Sequence, residues 1–543
     1  MTPTETVYTN AEIFTADGTH GAEAFVVRGD RLAYVGDRGT AQRLASGDAT
    51  AVDLGGRFVM PGFTDAHSHL VMMGESLRKV DLIDAGDLAE IQRRMRAAAE
   101  QAPHAARVLG RSWLPDAVPG GNPTRQMLDE VVADRPVYLD ANDLHSVWVN
   151  TAALEELGIT RDTPDPHGGL IARDESGEPS GMLYETAVTA IVWPKLVELS
   201  SDTERDAALA ATFEHYLASG VTGAIEMACG EAELATLQRA VADDGSLPIR
   251  VTAHWLIHRS DTPEQELRQV QRAAELATSV CTPWLRVAGI KLILDGVIDT
   301  CTAAMKEPYA NGENADPIWG REALFPVVAA ADAADLQIAM HAIGDEASAI
   351  ALDALEHAFR ENGPRVRRHR MEHLETITVE SIQRMASLGI VASMQPVHSD
   401  PAVQENWRAK LGDHRVDRGF PWPELSAAGA ALAFGTDAPT APYAPLPNMF
   451  IAATRRSALN PSLPANLPKY AMPIADALRH ATADAAWSAG CERDLGRLST
   501  GMLADFVVLD GNPLTAEADD LLTMGVHLTV VGGQTRYAVE PRD

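Results

Sequence analysis

The central part of the chain alternates short apolar runs with alanine-rich, amphipathic stretches. Those stretches have the spacing of surface helices, as in 231–244 and 345–362. The apolar runs are typical of buried strands and lie at 58–67, 221–228, 250–257, 287–296, 337–344, 367–373, 390–396 and 431–439. Roughly eight strands alternating with helices predict an α/β fold, a (β/α)8 TIM barrel. An open doubly wound sheet is the alternative, but no GxGxxG motif follows the first strand.

Both ends of the chain have a different pattern, with short strand-like runs separated by Gly-Gly and Asp-Gly turns. This pattern predicts one small β-sandwich domain built from residues 1–58 and 489–543, and a barrel domain over 59–488. The segment between the first and second barrel strands is much longer than a βα connection needs. We therefore expect a large insertion over about 71–215, placed above the carboxyl-terminal mouth of the barrel, where substrate pockets form.

Composition limits the classes of protein to which the chain can belong. Its 543 residues are 46% apolar, which suits a large barrel with an accessory domain. The net charge of −31 argues against nucleic acid as a partner. Four cysteines without a CxxC motif fit a reducing compartment, and no signal segment or membrane-length apolar run is evident. We expect a cytoplasmic homodimer that acts on a small-molecule substrate and does not bind membranes.

The first barrel strand ends in the sequence His67-Ser68-His69. Residues i and i+2 of a strand point to the same side, so the two imidazoles converge. Two neutral imidazoles at this spacing form half of a divalent metal site. The same pattern also suits two ordinary polar residues where a strand meets a loop, so the prediction depends on further ligands.

Candidate ligands stand at the ends of four later strands. Lys291 lies among apolar residues of strand four, where burial favours a neutral amine that can take up CO₂ as a carbamate. A lysine that extends to the strand end is the alternative. Strands five, six and eight end at His341, His373 and Asp437. Each residue alone fits a core or loop position, but all of them fall where parallel strands meet the catalytic face of a barrel. We therefore predict a metal site.

The order HxH, lysine, histidine, histidine, aspartate resembles the amidohydrolase superfamily. More narrowly, the chain is similar to amidohydrolase family 3, the group that contains N-substituted formamide deformylase. The resemblance covers essentially the whole length, including the insertion. It is carried by MPGFTDAHSH, DLHSVWVNTAAL, KLILDGVIDTCTAAM, HAIGDEA, MEHLE, MQPVHSD, FGTDAPTAPYAPLPNM and ADFVVLD.

The resemblance implies a metal-dependent barrel hydrolase with a β-sandwich formed by both ends of the chain. It further implies two divalent ions, expected to be zinc, bridged by a carboxylated Lys291. His67, His69 and Asp437 would hold one ion, whereas His341 and His373 would hold the other.

Two cations that share a water lower its pKa towards neutrality and polarise a substrate carbonyl. Asp437 can reach both the water and the leaving nitrogen, which predicts a general acid/base role in addition to coordination. The predicted reaction is hydrolysis of a carbon–nitrogen bond other than a peptide bond, as in an N-formyl or N-acyl amine. Other small amides, carbamates and cyclic amides suit the same chemistry.

Substrate contacts are expected from the insertion and from loops at the catalytic face, because mixed polar and aromatic side chains suit pocket walls. The insertion candidates are equally compatible with a structural role. Asp295 would either support the bridge from behind or cap a helix, and Cys301 lies in a stretch that varies within such families. The candidates are Trp113, His145, Tyr184, Glu185, Asp295, Cys301, Gln395 and His398.

Two other functions compete with this prediction. A deaminase on the same barrel would attack a cyclic amidine, such as a nucleobase. Such enzymes typically use one metal and place a glutamate three residues after the strand-five histidine, where this chain has Gly344. Lys291 would then have no role. A scaffold that has lost its metals is the second alternative, and the presence of every ligand type argues against it.

Overall fold

A computed structural model describes residues 5–141, 146–166, 169–404 and 406–539. Its largest feature is an eight-stranded sheet in which all neighbouring strands are parallel. We number its strands in chain order. They are β1 Phe63–Ser68, β2 Val221–Cys229, β3 Arg250–Leu256, β4 Leu285–Ile293, β5 Gln337–Ala342, β6 Arg370–His373, β7 Val391–Met394 and β8 Leu432–Phe434.

The sheet closes on itself, since a parallel bridge joins Ser68, the last residue of β1, to Ala438 after β8. Most strand residues are buried, as expected for parallel strands that are covered on both faces. Helices follow the strands and cover the outer face. They include Glu231–Arg239, Pro263–Ser279, Arg321–Ala333, Asp345–Asn362, Val379–Leu388, Trp422–Ala428 and Pro445–Thr454. The predicted (β/α)8 barrel is therefore confirmed.

Strands from both ends of the chain form a second sheet of seven strands. Glu5–Ile13 pairs in parallel with Thr50–Pro61, and the remaining neighbours are antiparallel. Tyr8, Phe25 and Phe506 pack together in the core of this sheet. The order across the sheet is Gln534–Ala538, Val526–Val531, Phe506–Leu509, Thr50–Pro61, Glu5–Ile13, Ala24–Arg28 and Arg31–Gly36.

The segment after β1 forms a separate compact unit, residues 71–212. It contains a mixed sheet of six strands and has hydrophobic cores of its own. Helices Leu88–Gln101 and Thr151–Leu157 accompany the sheet. Across the sheet, the strands are Gly169–Arg173, Pro179–Glu185, Ser146–Val149, Val137–Ala141, Val108–Trp113 and Val80–Asp81.

Among the described residues, we find no helix with both the length and the apolar character needed to cross a bilayer.

Candidate metal centre

The ends of β1 and β8 bring two histidines against one carboxylate. His69 Nε2 lies 2.9 Å from Asp437 Oδ1, and His67 Nε2 lies 3.4 Å from the same oxygen. Nitrogen and oxygen ligands bind zinc at about 2.0–2.2 Å, so ligand atoms of one ion lie roughly 3.3 Å apart. These separations therefore suit a shared cation.

Two further histidines, from β5 and β6, complete the cluster. The ring centroid of His373 lies 4.9 Å from that of His67 and 4.4 Å from that of His341. Ligand atoms of His67, His373 and Asp437 fall within 4.8 Å of one another. The predicted residues at four strand ends thus share one small volume at the catalytic face of the barrel.

Hydrogen bonds to neighbouring groups determine which ring nitrogen of each histidine can bind a metal. His67 Nδ1 lies 2.7 Å from a Glu372 oxygen, and His373 Nδ1 lies 2.9 Å from Gln395 Oε1. His341 instead uses Nε2, which lies 3.2 Å from the main-chain oxygen of Gly296. A nitrogen that donates to an oxygen leaves the lone pair on the other nitrogen. Each ring therefore keeps one nitrogen as a potential ligand.

Glu372 and Arg370 support the centre from inside the barrel, and the sequence analysis missed both of them. Arg370 Nε donates to Glu372 Oε1 at 2.5 Å, and neither residue is exposed to solvent. Burial alone would raise the pKa of Glu372, but Arg370 and His67 outweigh it and hold that pKa well below its usual range. Glu372 is thus a carboxylate that fixes the orientation of His67. The sequence offered one signal for Glu372, since it directly precedes His373, a candidate ligand at a strand end.

Asp65 is a second buried carboxylate that the sequence analysis missed, two residues before His67 on β1. It accepts hydrogen bonds from the Tyr216 hydroxyl at 2.9 Å and from the main-chain N–H of Thr436 at 2.9 Å. It thereby ties β1 to the segment that carries Asp437. Gly435 permits this close approach, because a Cβ there would lie 2.4 Å from the main-chain nitrogen of His67.

The backbone is strained where the ligands stand. His373 and Asp437 have φ values of 74° and 59°, in the left-handed region that non-glycine residues rarely adopt. Such conformations cost about 1–3 kcal/mol each and persist where surrounding contacts impose them. Both residues contribute ligand atoms to the cluster.

Burial favours the neutral forms of His67, His341 and Lys291, whereas Asp437 and Glu226 outweigh burial at His69 and raise its pKa. Burial lowers the pKa of His67 to about 4 and that of His341 to about 3. Burial also lowers the pKa of Lys291 to about 8, although the carboxylates of Glu372 and Asp437 oppose that shift. The pKa of Asp437 falls well below its usual value because His67 and His69 outweigh the effect of burial. The neutral imidazoles of His67, His341 and His373 beside the ionised Asp437 are the kind of donors that a divalent cation binds.

The loop after β4 is held against β5 by Asp295, which is almost fully buried. Its carboxylate accepts N–H bonds from Ala304 at 3.0 Å, Ile343 at 3.1 Å and Gly344 at 2.7 Å. It also lies 3.5 Å from His341 Nε2. Asp295 therefore supports the strand-five ligand and the start of the following helix together, whereas the half-buried Cys301 lies further along the same loop.

Gln395 and His398 follow β7 at the same face as the ligands. Gln395 is fully buried and its oxygen is engaged by His373. His398 Nδ1 lies 3.4 Å from Glu375 Oε1, and its Nε2 lies 3.7 Å from Asp437 Oδ2. Both candidates thus lie beside the cluster, and Glu375 is a further neighbour that the sequence analysis did not single out.

Three of the four insertion candidates, Trp113, Tyr184 and Glu185, belong to the separate unit at 71–212. Trp113 is 1% exposed, its indole N–H donates to the Leu139 oxygen at 3.0 Å, and its ring packs on Trp148. It is therefore a core residue of that unit. Tyr184 and Glu185 are half-buried at the end of strand Pro179–Glu185. His145 lies outside the described residues.

Comparison with known proteins agrees with this geometry. The amidohydrolase family 3 model, described as "Amidohydrolase family", matches residues 50–537. The chain is 32% identical to Protein LONG AFTER FAR-RED 3 of Arabidopsis thaliana, covering 97% of this chain and 91% of that protein. It is 29% identical to N-substituted formamide deformylase of Arthrobacter pascens, covering 97% of both.

A solved structure of an uncharacterized metal-dependent hydrolase from Pyrococcus horikoshii OT3 has a TM-score of 0.79 and 26% identity, covering 95% of this chain and 99% of that one. The family match covers most of the chain and includes every strand of the barrel. The chain therefore belongs to the amidohydrolase family, in the metal-dependent amidohydrolase superfamily, and is a hydrolytic enzyme.

Proposed function

We propose that this enzyme hydrolyses the carbon–nitrogen bond of a small N-formyl or N-acyl amine. The observation that carries the proposal is the place of Asp437, which has Oδ1 against His67 and His69 and Oδ2 3.7 Å from His398 Nε2. The identity to N-substituted formamide deformylase, 29% over 97% of both chains, supports an N-acyl amine as the substrate class.

We further propose that the centre holds two divalent ions, expected to be zinc, with a carboxylated Lys291 between them. His67, His69 and Asp437 would hold one ion, and His341 and His373 the other. A lysine pKa of about 8 supports carboxylation, because a fraction of the amine is neutral near pH 7 and can react with CO₂. The bound ions would supply a water of lowered pKa and would polarise the substrate carbonyl.

The residues of the chain then handle the proton and the leaving group. Asp437 takes the proton released when water adds to the carbonyl carbon, and passes it to the departing nitrogen, so that the amine leaves neutral. Glu372 holds the His67 ring in place, and Gln395 does the same for His373. The burial of the cluster excludes bulk water from competing for these contacts.

A deaminase that needs a glutamate three residues after His341 is disfavoured by local packing. Gly344 occupies that position, and a Cβ there would lie 2.0 Å from the main-chain oxygen of Ala304. Any side chain would force the loop after β4 away from β5.

Substrate screening tests the proposed function. Purified enzyme with added zinc would be offered N-formyl and N-acetyl derivatives of an alkylamine and of an aniline, a carbamate, adenine and cytosine, while amine or ammonia release is followed. We expect turnover of the N-acyl amines that chelation abolishes and zinc restores. Ammonia release from a nucleobase, with no turnover of any amide, would contradict the proposal.

A further inference from the structure

Beside the proposed centre, Glu375 and His398 form a carboxylate–imidazole pair that the reaction described above does not use. Glu375 follows β6, and His398 lies in the short helix Pro396–Ser399 after β7. His398 Nδ1 is 3.4 Å from Glu375 Oε1, and the two side chains are 14% and 9% exposed. The pair is thus nearly buried at the catalytic face and is accessible only at its rim.

The pair faces the outer oxygen of Asp437. Asp437 Oδ1 lies against the β1 histidines, whereas Oδ2 lies 3.7 Å from His398 Nε2. The Thr440 hydroxyl donates to the main-chain oxygen of Asp437 at 2.6 Å and lies 3.3 Å from His398 Nε2. Since that hydroxyl hydrogen is already used, His398 Nε2 must be the donor, and Nδ1, which faces the Glu375 carboxylate, must carry a hydrogen as well. A donor N–H therefore sits beside the oxygen that would carry the proton.

The same pair also lies close to a proposed metal-ligand histidine, but it does not make a metal site of its own. His373, Glu375 and His398 offer ligand atoms within 4.8 Å of one another. However, His373 Nδ1 is engaged by Gln395, and its other nitrogen serves the proposed centre. Only two ligands then remain, which is fewer than a protein metal site uses.

We propose that His398, held by Glu375, is a positioning residue that keeps Asp437 Oδ2 aligned with the departing nitrogen. This inference rests on the proposed function, in which Asp437 moves the proton. Losing the alignment should slow proton delivery while leaving the metal ligands in place. A misplacement of about 1 Å costs on the order of 10²-fold in rate.

The test compares His398→Ala, His398→Gln and Glu375→Gln with His258→Ala, which alters an exposed histidine after β3. For each variant, metal content is measured by elemental analysis, and kcat and KM are measured for an N-acyl alkylamine and an N-acyl nitroaniline. We expect unchanged metal content and a kcat loss of about 10- to 100-fold on the alkylamine substrate for His398→Ala. The loss should be much smaller on the nitroaniline, whose leaving group needs less protonation.

His398→Gln keeps a donor N–H and should therefore lose less kcat than His398→Ala. Added imidazole should restore part of the kcat that His398→Ala loses. Glu375→Gln should lose less kcat on the alkylamine substrate than His398→Ala does. His258→Ala should behave as the parent enzyme. Loss of one metal ion in His398→Ala would overturn the inference and make His398 a ligand. Equal losses on both substrates, or a change in KM alone, would also overturn it. A parent enzyme that cleaves no N-acyl amine would instead refute the proposed function.

Discussion

Strand β6 has a buried histidine at each end, His369 just before it and His373 as its last residue, and the two ends have opposite character. At the amino-terminal end, His369 Nε2 bonds to Asp332 at 2.9 Å, while its Nδ1 accepts the N–H of Ile338 at 3.1 Å. At the carboxyl-terminal end, His341 and His373 each have one ring nitrogen bonded to oxygen and the other directed to the cluster. Burial is common to both ends, so burial does not make the difference.

Neutralisation by protein neighbours distinguishes the two ends. Asp332 is 1% exposed and also binds Arg367 at 2.6 Å and Asn362 at 2.8 Å. The amino-terminal cluster thus supplies its own counter-charges, which is typical of a structural site. At the other end, His67, His373 and Asp437 bring ligand atoms together, Lys291 lies close enough to lower the pKa values of His67 and His341, and His373 has a strained backbone. Strongly lowered histidine pKa values together with converging ligand atoms are typical of a functional site.

Replacing Lys291 should have the largest effect on the proposed metal centre at the carboxyl ends of the barrel strands. Lys291→Ala removes the proposed bridge, so we expect near-complete loss of turnover and loss of one metal ion, with the circular dichroism spectrum retained. Small carboxylic acids should restore part of the activity by taking the place of the carbamate. An Ala variant as active as the parent would show that the lysine is only structural.

Asp437→Asn separates coordination from proton transfer at the same end. The amide keeps an oxygen for the metal but cannot accept the proton, so metal content should fall modestly while kcat falls about 10²- to 10⁴-fold. KM should change less, because the proton moves only along the reaction path. Substrates with good leaving groups should lose less. Equal losses on activated and unactivated substrates would restrict Asp437 to a ligand role.

Asp332→Asn tests whether the cluster at the amino-terminal end of β6 contributes to stability and not to catalysis. It leaves the buried Arg367 and His369 without their carboxylate, which should lower the free energy of unfolding by about 3 kcal/mol. Denaturant unfolding measures this loss, and kcat per folded molecule should stay at the parent value. A large fall in kcat with unchanged stability would mean that the two ends do not differ as described.

Acidic pH should destabilise the metal-free protein, because histidines at the carboxyl ends of the barrel strands have lowered pKa values. Burial lowers the folded-state pKa of His67 to about 4, whereas the unfolded value is about 6.5, so below pH 6.5 the unfolded state binds more protons. Stability is therefore lost as pH falls from about 6.5 to 4. Asp332 has a lowered pKa, so its contribution is present above its unfolded pKa, near 3.8, and is lost only at lower pH.

The measurement is urea unfolding in EDTA at pH 7 and pH 5, for the parent and for His67→Asn. The parent should lose roughly 2 kcal/mol more than the variant over this range. Identical losses in both proteins would remove His67 as a source of the pH dependence.

The barrel and its ligands could be predicted from the sequence because their signals are local. Apolar runs mark parallel strands, and residues such as His67 and Asp437 stand where those runs end. Roles could not be assigned to Glu372, Asp65 and Glu375. Their partners come from other parts of the chain, and the contacts depend on strand register and on how far each side chain is buried. Trp113 was predicted to line a pocket because it is an aromatic residue in a polar segment. Strand pairing, which the sequence does not reveal, instead places it in a hydrophobic core.

Metal stoichiometry tests the central claim most directly. The protein would be purified without chelators, supplied with zinc and bicarbonate, freed of loosely bound ions by gel filtration, and measured by elemental analysis alongside its activity. Six ligand-type residues at the strand ends exceed what one tetrahedral ion takes from a protein, so we predict close to two ions per chain. Full activity with one ion or none would contradict the account.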